Sequence, residues 1–226
     1  MVALSQPSPD PAVARTMEPA DVETVLEAHL TYFPENLVGR LGRDLLEVYY
    51  TAFVDGPHAT AFVAEIDGEF AGYLVGVLDT TEHRRWLLRA HACKLLLAVG
   101  RSAVAHPLII ARVVMRRVGH WLRSRPTGRV GPTFAPQTPV AVLSHVAIAQ
   151  EVRGRGAGDL LLRQFMQSCR RHGSRAAFLA TRAGRDGAGT FYAARGWRKY
   201  DTTKTVDGRL LDLYEVRVAL TDPRTP

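Results

Sequence analysis

The sequence predicts a mixed α/β fold: one domain with helices on the faces of a mixed sheet, carrying one helical insertion. Three observations predict it. Runs with a two-residue hydrophobic period alternate with runs of helical period. An Asp-Gly pair joins two adjacent strand-like runs. The chain has 226 residues, of which 46% are hydrophobic, enough for one domain with a full core.

The first fifteen residues, MVALSQPSPDPAVAR, lack a basic region followed by a long apolar run. They read as a Pro/Ser-rich disordered tail, not a secretory signal. The domain is expected over 13–220, with tails at 1–12 and 221–226. Glu18-Pro19-Ala20-Asp21 reads as a helix start, and Val22, Val25, Leu26 and His29 or Leu30 follow at helical spacing. Leu45, Leu46, Val48, Tyr49 and Phe53 supply the apolar stripe of a second helix from Arg43 to Phe53. Thr60–Ile66 and Phe70–Leu78 then flank Asp67-Gly68, a hairpin signal because both turn residues must accept positive φ.

Residues 82–128 hold ten Lys or Arg and one acid, a net +9 against +7 for the whole chain, so the remainder sums to −2. The segment reads as two helices broken near Gly100–Pro107, followed by a loop at Thr127–Pro139. A basic surplus favours anionic partners. Trp86, Leu87 and Leu96 beside Arg84, Arg85, Arg89 and Lys94 make an amphipathic cationic helix, as do Val114, Val118 and Trp121 beside Arg112, Arg116 and Arg117. Such helices suit an anionic membrane surface, an acidic carrier protein, a cleft lid or a homodimer interface. No recognised nucleic-acid-binding motif accompanies them, so nucleic acid is not the expected partner.

Val140–Ile148 is a β-rich run, Gly154–Gly158 a tight turn and Asp159–Arg171 an amphipathic helix. A strand at Arg175–Thr181, a short helix at Gly187–Arg195 and strands at Arg198–Thr205 and Arg209–Leu220 complete the chain, the last two joined by Asp207-Gly208. Only Cys93 and Cys169 are present, which points to a reducing compartment rather than a disulfide scaffold. Cys169 reads as core. No pair among the eight histidines has zinc-site spacing with Cys or acidic partners, so no metal is expected. No run approaches a membrane-spanning length. The expected location is the cytoplasm, with a peripheral position at the inner membrane surface as an extension.

The chemistry concentrates at Arg153-Gly154-Arg155-Gly156-Ala157-Gly158, between a strand and a helix. Glycines let backbone N–H groups approach a phosphate, and the helix start aims its free N–H groups and positive dipole end at the same anion. Arg153 and Arg155 add charge. A P-loop would need a Lys-Ser/Thr pair, and none is present. A Rossmann turn would need differently spaced glycines and an acid after a second strand. Coenzyme A and a plain solvated glycine turn remain.

This stretch resembles the GNAT superfamily of acyl-CoA N-acyltransferases, and the resemblance runs from about Val13 to Leu220. A second family signature, N-x-x-A-x-x-F-Y-x-x-x-G-[FW], is met by Arg185 through Trp197, including Ala188, Phe191, Tyr192 and Gly196. Arg185 stands where the family has Asn; an arginine can reach a phosphate there instead. The resemblance implies a mostly antiparallel GNAT-like sheet and acetyl-CoA as donor. It implies backbone donors from Val146, Ala147 and Ile148, and cofactor contacts from Arg153 through Asp159 and from Arg185. Tyr192 matches the general acid to the CoA thiolate; a packed aromatic is its plainer reading. His145 matches a histidine that participates in amine deprotonation in arylalkylamine acetyltransferases; a satisfied structural histidine is the alternative. On a regular strand Ser144 points to the opposite face from His145, which argues against a nucleophilic pair.

Acyl transfer needs these roles. A primary alkylamine has a pKa of about 10.4 and must lose a proton to attack. The thioester carbonyl must be polarised, and the leaving thiolate protonated. The expected acceptor is a small-molecule amine such as an amino sugar. A protein N-terminus or lysine, a longer acyl group, and a CoA-binding sensor without turnover are the other readings.

Overall fold

A computed structural model describes residues 12–34, 36–105, 107, 139–185, 187–205 and 208–219. The first strand, β1 (Val13–Thr16), begins at the expected domain start, although its first three residues fall in the fifteen that read as tail by composition. Pairing creates it: β1 runs antiparallel to the next strand from Val13↔Glu65 to Thr16↔Phe62. Arg15 pins it, with Nε 2.8 Å from Glu65 and Nη1 2.6 Å from Asp21. Short-range sequence carries neither partner, so composition alone misreads the segment.

Glu18 and Asp21 form a capping box around a 3-10 turn, and α1 (Val22–Tyr32) follows. After α2 (Leu37–Arg40) comes α3 (Arg43–Asp55). The hairpin forms as the Asp-Gly pair predicts: β2 (Ala59–Ile66) and β3 (Glu69–Val77) flank Asp67 and Gly68, with φ of 56° and 78°.

Helix α4 (Thr80–Ala90) is N-capped by Asp79, whose carboxylate accepts from the N–H groups of Thr81 and Glu82 at 2.9 and 3.0 Å. Helix α5 (Ala92–Ala105) follows directly. A break therefore falls at His91, in addition to the one expected near Gly100–Pro107; α5 ends at Ala105, and the residues after it to 138, Pro107 apart, lie outside the described residues. His91 is non-helical, at φ −121° and ψ 13°, while Gly100 stays in the helix. A mid-helix glycine costs only about 1 kcal/mol. Ser102 offsets part of that by donating to Leu41 O at 2.5 Å, which ties α5 to the α2–α3 connection. The expected later part of the insertion, including Arg112, Arg116, Arg117 and Trp121, lies outside the described residues, as does the loop at 127–138.

Strand β4 (Val140–Ile148), helix α6 (Ala157–His172), strand β5 (Ala176–Arg182), helix α7 (Gly189–Ala193) and strands β6 (Arg198–Lys204) and β7 (Leu210–Arg217) close the fold. The seven strands lie in the order β1-β2-β3-β4-β5-β7-β6. All neighbours are antiparallel except β4 and β5. One face packs Leu74, Leu143, Leu161, Phe165 and Tyr192 in the core that includes α6. The other packs Leu26, Leu46, Tyr50, Tyr73 and Ala147 with α1 and α3.

Two irregularities matter. Parallel pairing of β4 with β5 ends at Leu143↔Leu179, although both strands continue. The sheet therefore splays open beside Ser144–Ile148. In addition, β4 carries a bulge at Ser144: Val75 pairs with His145, but Gly76 pairs with Leu143. The bulge switches faces. Ala141 and Leu143 point toward α6, whereas Ala147 points toward α1 and α3.

Candidate functional site

The glycine turn sits at the start of α6, as expected. Gly154 and Gly156 have φ of 84° and 88°, and an added Cβ would meet nothing within 4 Å at either. Their glycines answer to backbone conformation, not crowding. Gly156 is the N-cap and supplies no side-chain cap, so the first N–H groups of α6 are left for an external acceptor. Arg153 lies across the splay with Nε 3.3 Å from Ile148 O. Arg155 is paired with Asp67 of the hairpin at 3.0 Å. Arg185 is exposed in the turn after β5.

Beside the turn, Asp159 in the first turn of α6 holds Arg195 through two contacts of 2.5 and 2.6 Å. Arg195 also donates to Phe191 O at 2.8 Å and lies 3.6 Å over the Phe191 ring. This clamp docks α7 on the start of α6. It also occupies the Asp159 side chain, leaving the backbone as that residue's means of touching a phosphate. The Arg195 guanidinium holds the Asp159 carboxyl below the usual carboxylate range.

Backbone alternation sorts the three donors expected on β4. Ala149 N–H donates to Ala71 O on β3 at 2.9 Å. The N–H of Ala147 therefore also faces β3, while those of Val146 and Ile148 face the unpaired edge toward β5. Arg153 on Ile148 O marks the same open edge. Two of the three backbone positions face the unpaired edge; Ala147 is committed to the sheet.

Tyr192 is buried, with ring centroids of Phe191, Trp197 and Tyr214 at 5.2, 5.8 and 6.3 Å. Its hydroxyl makes no hydrogen bond among the described residues. Burial raises its phenol, so it stays protonated at neutral pH and able to donate. Cys169 is core, as expected, and burial pushes its thiol up to about 12.

His145 lies across the sheet from Tyr192, among the side chains of α1 and α3. Its Nδ1 is 3.1 Å from Tyr49 Oη and its Nε2 is 3.0 Å from Asn36 Nδ2. The rings of His29 and Phe33 approach at 4.9 and 5.4 Å. Burial, with His29 nearby, lowers His145 to about 3, so it is neutral at pH 7. Ser144 does not point away. The bulge breaks the alternation, and both Ser144 and His145 reach Tyr49. Among the described residues no group of three or more His, Cys, Asp or Glu could hold a metal.

Sequence reasoning missed Asn36, Tyr49 and the buried row His29–Tyr50–Tyr73. Tyr50 Oη is 2.6 Å from His29 Nδ1 and 2.8 Å from Tyr73 Oη. Tyr49 and His29 read as parts of apolar stripes. A helical period cannot mark a contact to a strand about 100 positions away.

A match to a known family gives the class, that of acyl-CoA-dependent N-acyltransferases. Residues 109–197 match the model of the Acetyltransferase (GNAT) family, so this part of the chain is similar to the GNAT acetyltransferases. The fold is shared with Ard1 from Thermoplasma volcanium at 15% identity and a TM-score of 0.57, over 93% of this chain and 99% of that one. It is shared with the ribosomal-protein-S18-alanine N-acetyltransferase from Escherichia coli at 12% identity and a TM-score of 0.53, over 95% and 99%. The polyamine N-acetyltransferase of Drosophila melanogaster aligns at 17% identity and a TM-score of 0.55, over 91% and 99%. No curated protein matches the chain at the level of sequence.

Proposed function

We propose that the protein transfers an acetyl group from acetyl-CoA to the primary amine of a small molecule, by direct attack in a ternary complex. The observation that carries this reading is the splay. An unpaired strand edge with backbone donors lies between a phosphate-ready helix start and a histidine.

The residues fit the donor. The uncapped N–H groups from Ala157 onward and the glycine turn suit the pyrophosphate, with Arg153, Arg155 and Arg185 supplying charge. When bound, the thioester supplies the acyl group. Val146 and Ile148 N–H face the edge along which its carbonyl is polarised. The remaining steps move protons: an ammonium acceptor first loses one to solvent and becomes the attacking amine. The acceptor N–H gives its proton to the His145 side, directly or through water. Tyr192 Oη gives a proton to the departing sulfur, so the amine loses one proton and the thiol gains one. His145, held neutral by burial, begins each cycle with a lone pair available.

The test is thermal shift with CoA. Gly156→Glu places bulk and negative charge at the phosphate position and strains a positive φ. CoA should stabilise the wild type and leave the variant unmoved. Equal CoA-induced shifts would sink the donor assignment. A panel of amino sugars and biosynthetic amines against protein N-terminal peptides then reads the acceptor class.

The outer face of α5 supports a peripheral position on the anionic, cytoplasmic side of a membrane. Leu96, Leu97 and Val104 are 74%, 67% and 86% exposed, beside Lys94 and Arg101. No helix among the described residues is long and apolar enough to cross a membrane.

A further inference from the structure

The proton state of His145 is written in its two partners. As placed, Asn36 Nδ2 can only donate, so Nε2 at 3.0 Å carries the lone pair. The ring proton is then on Nδ1, and Tyr49 Oη at 3.1 Å accepts it. Tyr49 is left with its own hydroxyl proton. Donors and acceptors are therefore consistent along the row from Asn36 through His145 to Tyr49.

We propose that Tyr49 is a positioning residue for acyl transfer: it holds the His145 proton on Nδ1, so that the lone pair stays on Nε2, at the place Asn36 Nδ2 marks for the incoming amine. The proposal rests on the reading of His145 as the base and deepens it. An amide N–H and an amine N–H are alike as donors to an imidazole lone pair. The acceptor thus replaces Asn36 on Nε2 and enters past the connection between α1 and α2, where Asn36 lies.

The rest of the site supports this. Ring contacts fix the Tyr49 phenol, with Tyr50 at 5.4 Å and Phe53 at 4.9 Å, so its hydroxyl is aimed rather than free to swing. The bulge at Ser144 brings His145 to the α3 face; without it His145 would share the face of Leu143, away from Tyr49. When the acceptor's N–H bond breaks and Nε2–H forms, the ring becomes an imidazolium with a proton on each nitrogen. Tyr49 Oη already accepts the Nδ1 proton, so the new charge forms without an orphaned donor.

The test is the 15N spectrum of labelled histidine in the full-length protein with CoA bound, assigned with His145→Gln. The wild type should show His145 as the Nδ1–H form. In Tyr49→Phe, which keeps the ring packing, the population should move toward Nε2–H while the CoA-induced thermal shift is retained. With tyramine and acetyl-CoA as probes, kcat should fall about tenfold or more, with KM for acetyl-CoA unchanged. An Nε2–H form in the wild type, or an unchanged tautomer and kcat in Tyr49→Phe, overturns the proposal. Unchanged turnover of tyramine in His145→Gln removes the base reading itself. A loss in His145→Gln beside a normal Tyr49→Phe rejects the positioning role alone. Should Tyr49→Phe fail to fold, the wild-type tautomer still decides.

Discussion

At the scale of single residues, environment separates the two proposed proton carriers. Both Tyr192 and His145 are pushed by burial, yet in opposite senses: the phenol rises and the imidazole falls. Each shift favours the neutral form, because desolvation penalises charge of either sign. The result is a donor that keeps its proton and an acceptor that starts empty, one on each face of the sheet. Tyr192→Phe tests the donor. The ring contacts with Trp197 and Tyr214 survive in the variant, while the hydroxyl is lost. Turnover should fall by roughly 100-fold, within the usual range for general acid–base catalysis, with the CoA-induced thermal shift preserved. Unchanged kcat, with chemistry shown to limit the rate, would remove Tyr192 from the reaction.

At the scale of elements, the link between α6 and α7 joins stability to the phosphate site. Arg195 neutralises Asp159 one turn into α6, beside the N–H groups an anion would use. Arg195→Met keeps an unbranched chain over Phe191 and frees the Asp159 carboxylate. The pair is partly exposed, so its contribution to stability is about 1 kcal/mol or less, and Tm should drop by about 2–4 °C at most. CoA affinity should fall several-fold, more at low salt, because an unpaired negative charge now faces the anion. Adding Asp159→Asn should restore it. Wild-type CoA affinity in Arg195→Met would show that the clamp acts on packing alone. The same elements show what the sequence made legible. Local signals were sufficient where the cause is local: the Asp67-Gly68 turn, the 140–148 strand and the glycine turn are where their patterns put them. Signals failed where the cause is distant. β1 exists because Glu65 and Phe62 lie opposite it, and the Ser144 bulge shows only against β3. The further break at His91 has no local sequence signal, and the helix runs through Gly100, where Ser102 docks α5 on Leu41. The places of the glycine turn and of His145 on its strand were therefore readable, while the contacts of Asn36 and Tyr49 with His145, built from three separate elements, were not.

At the scale of the whole molecule, the helical insertion departs from the ordinary rule that a helix turns its apolar face inward. In α5 the inward positions are Ala98 and Ser102, while Leu96, Leu97 and Val104 face out. On α4, Leu88 is 54% exposed among Arg84, Arg85 and Arg89. The outer face of α5 is thus an apolar strip with Arg101 in it, and α4 exposes Leu88 among arginines. An apolar strip alone would fit many partners; a basic margin selects a surface that is apolar within and anionic at its rim. Each basic residue near such a surface contributes about 1 kcal/mol, and leucines entering the headgroup boundary add their burial. The wild type should therefore bind phosphatidylserine-containing vesicles and ignore phosphatidylcholine vesicles. Binding should weaken with added salt, since screening limits these charges to about 8 Å at physiological ionic strength. Leu97→Glu combined with Val104→Glu, one heptad apart on the outer line of α5, should abolish vesicle binding and leave the CoA-induced thermal shift intact. If the wild type ignores anionic vesicles even at low salt, the lipid surface is the wrong partner. Concentration-dependent sedimentation would then assign the strip to a second copy of the chain, and salt-sensitive capture by an acidic carrier protein would assign it to that class instead.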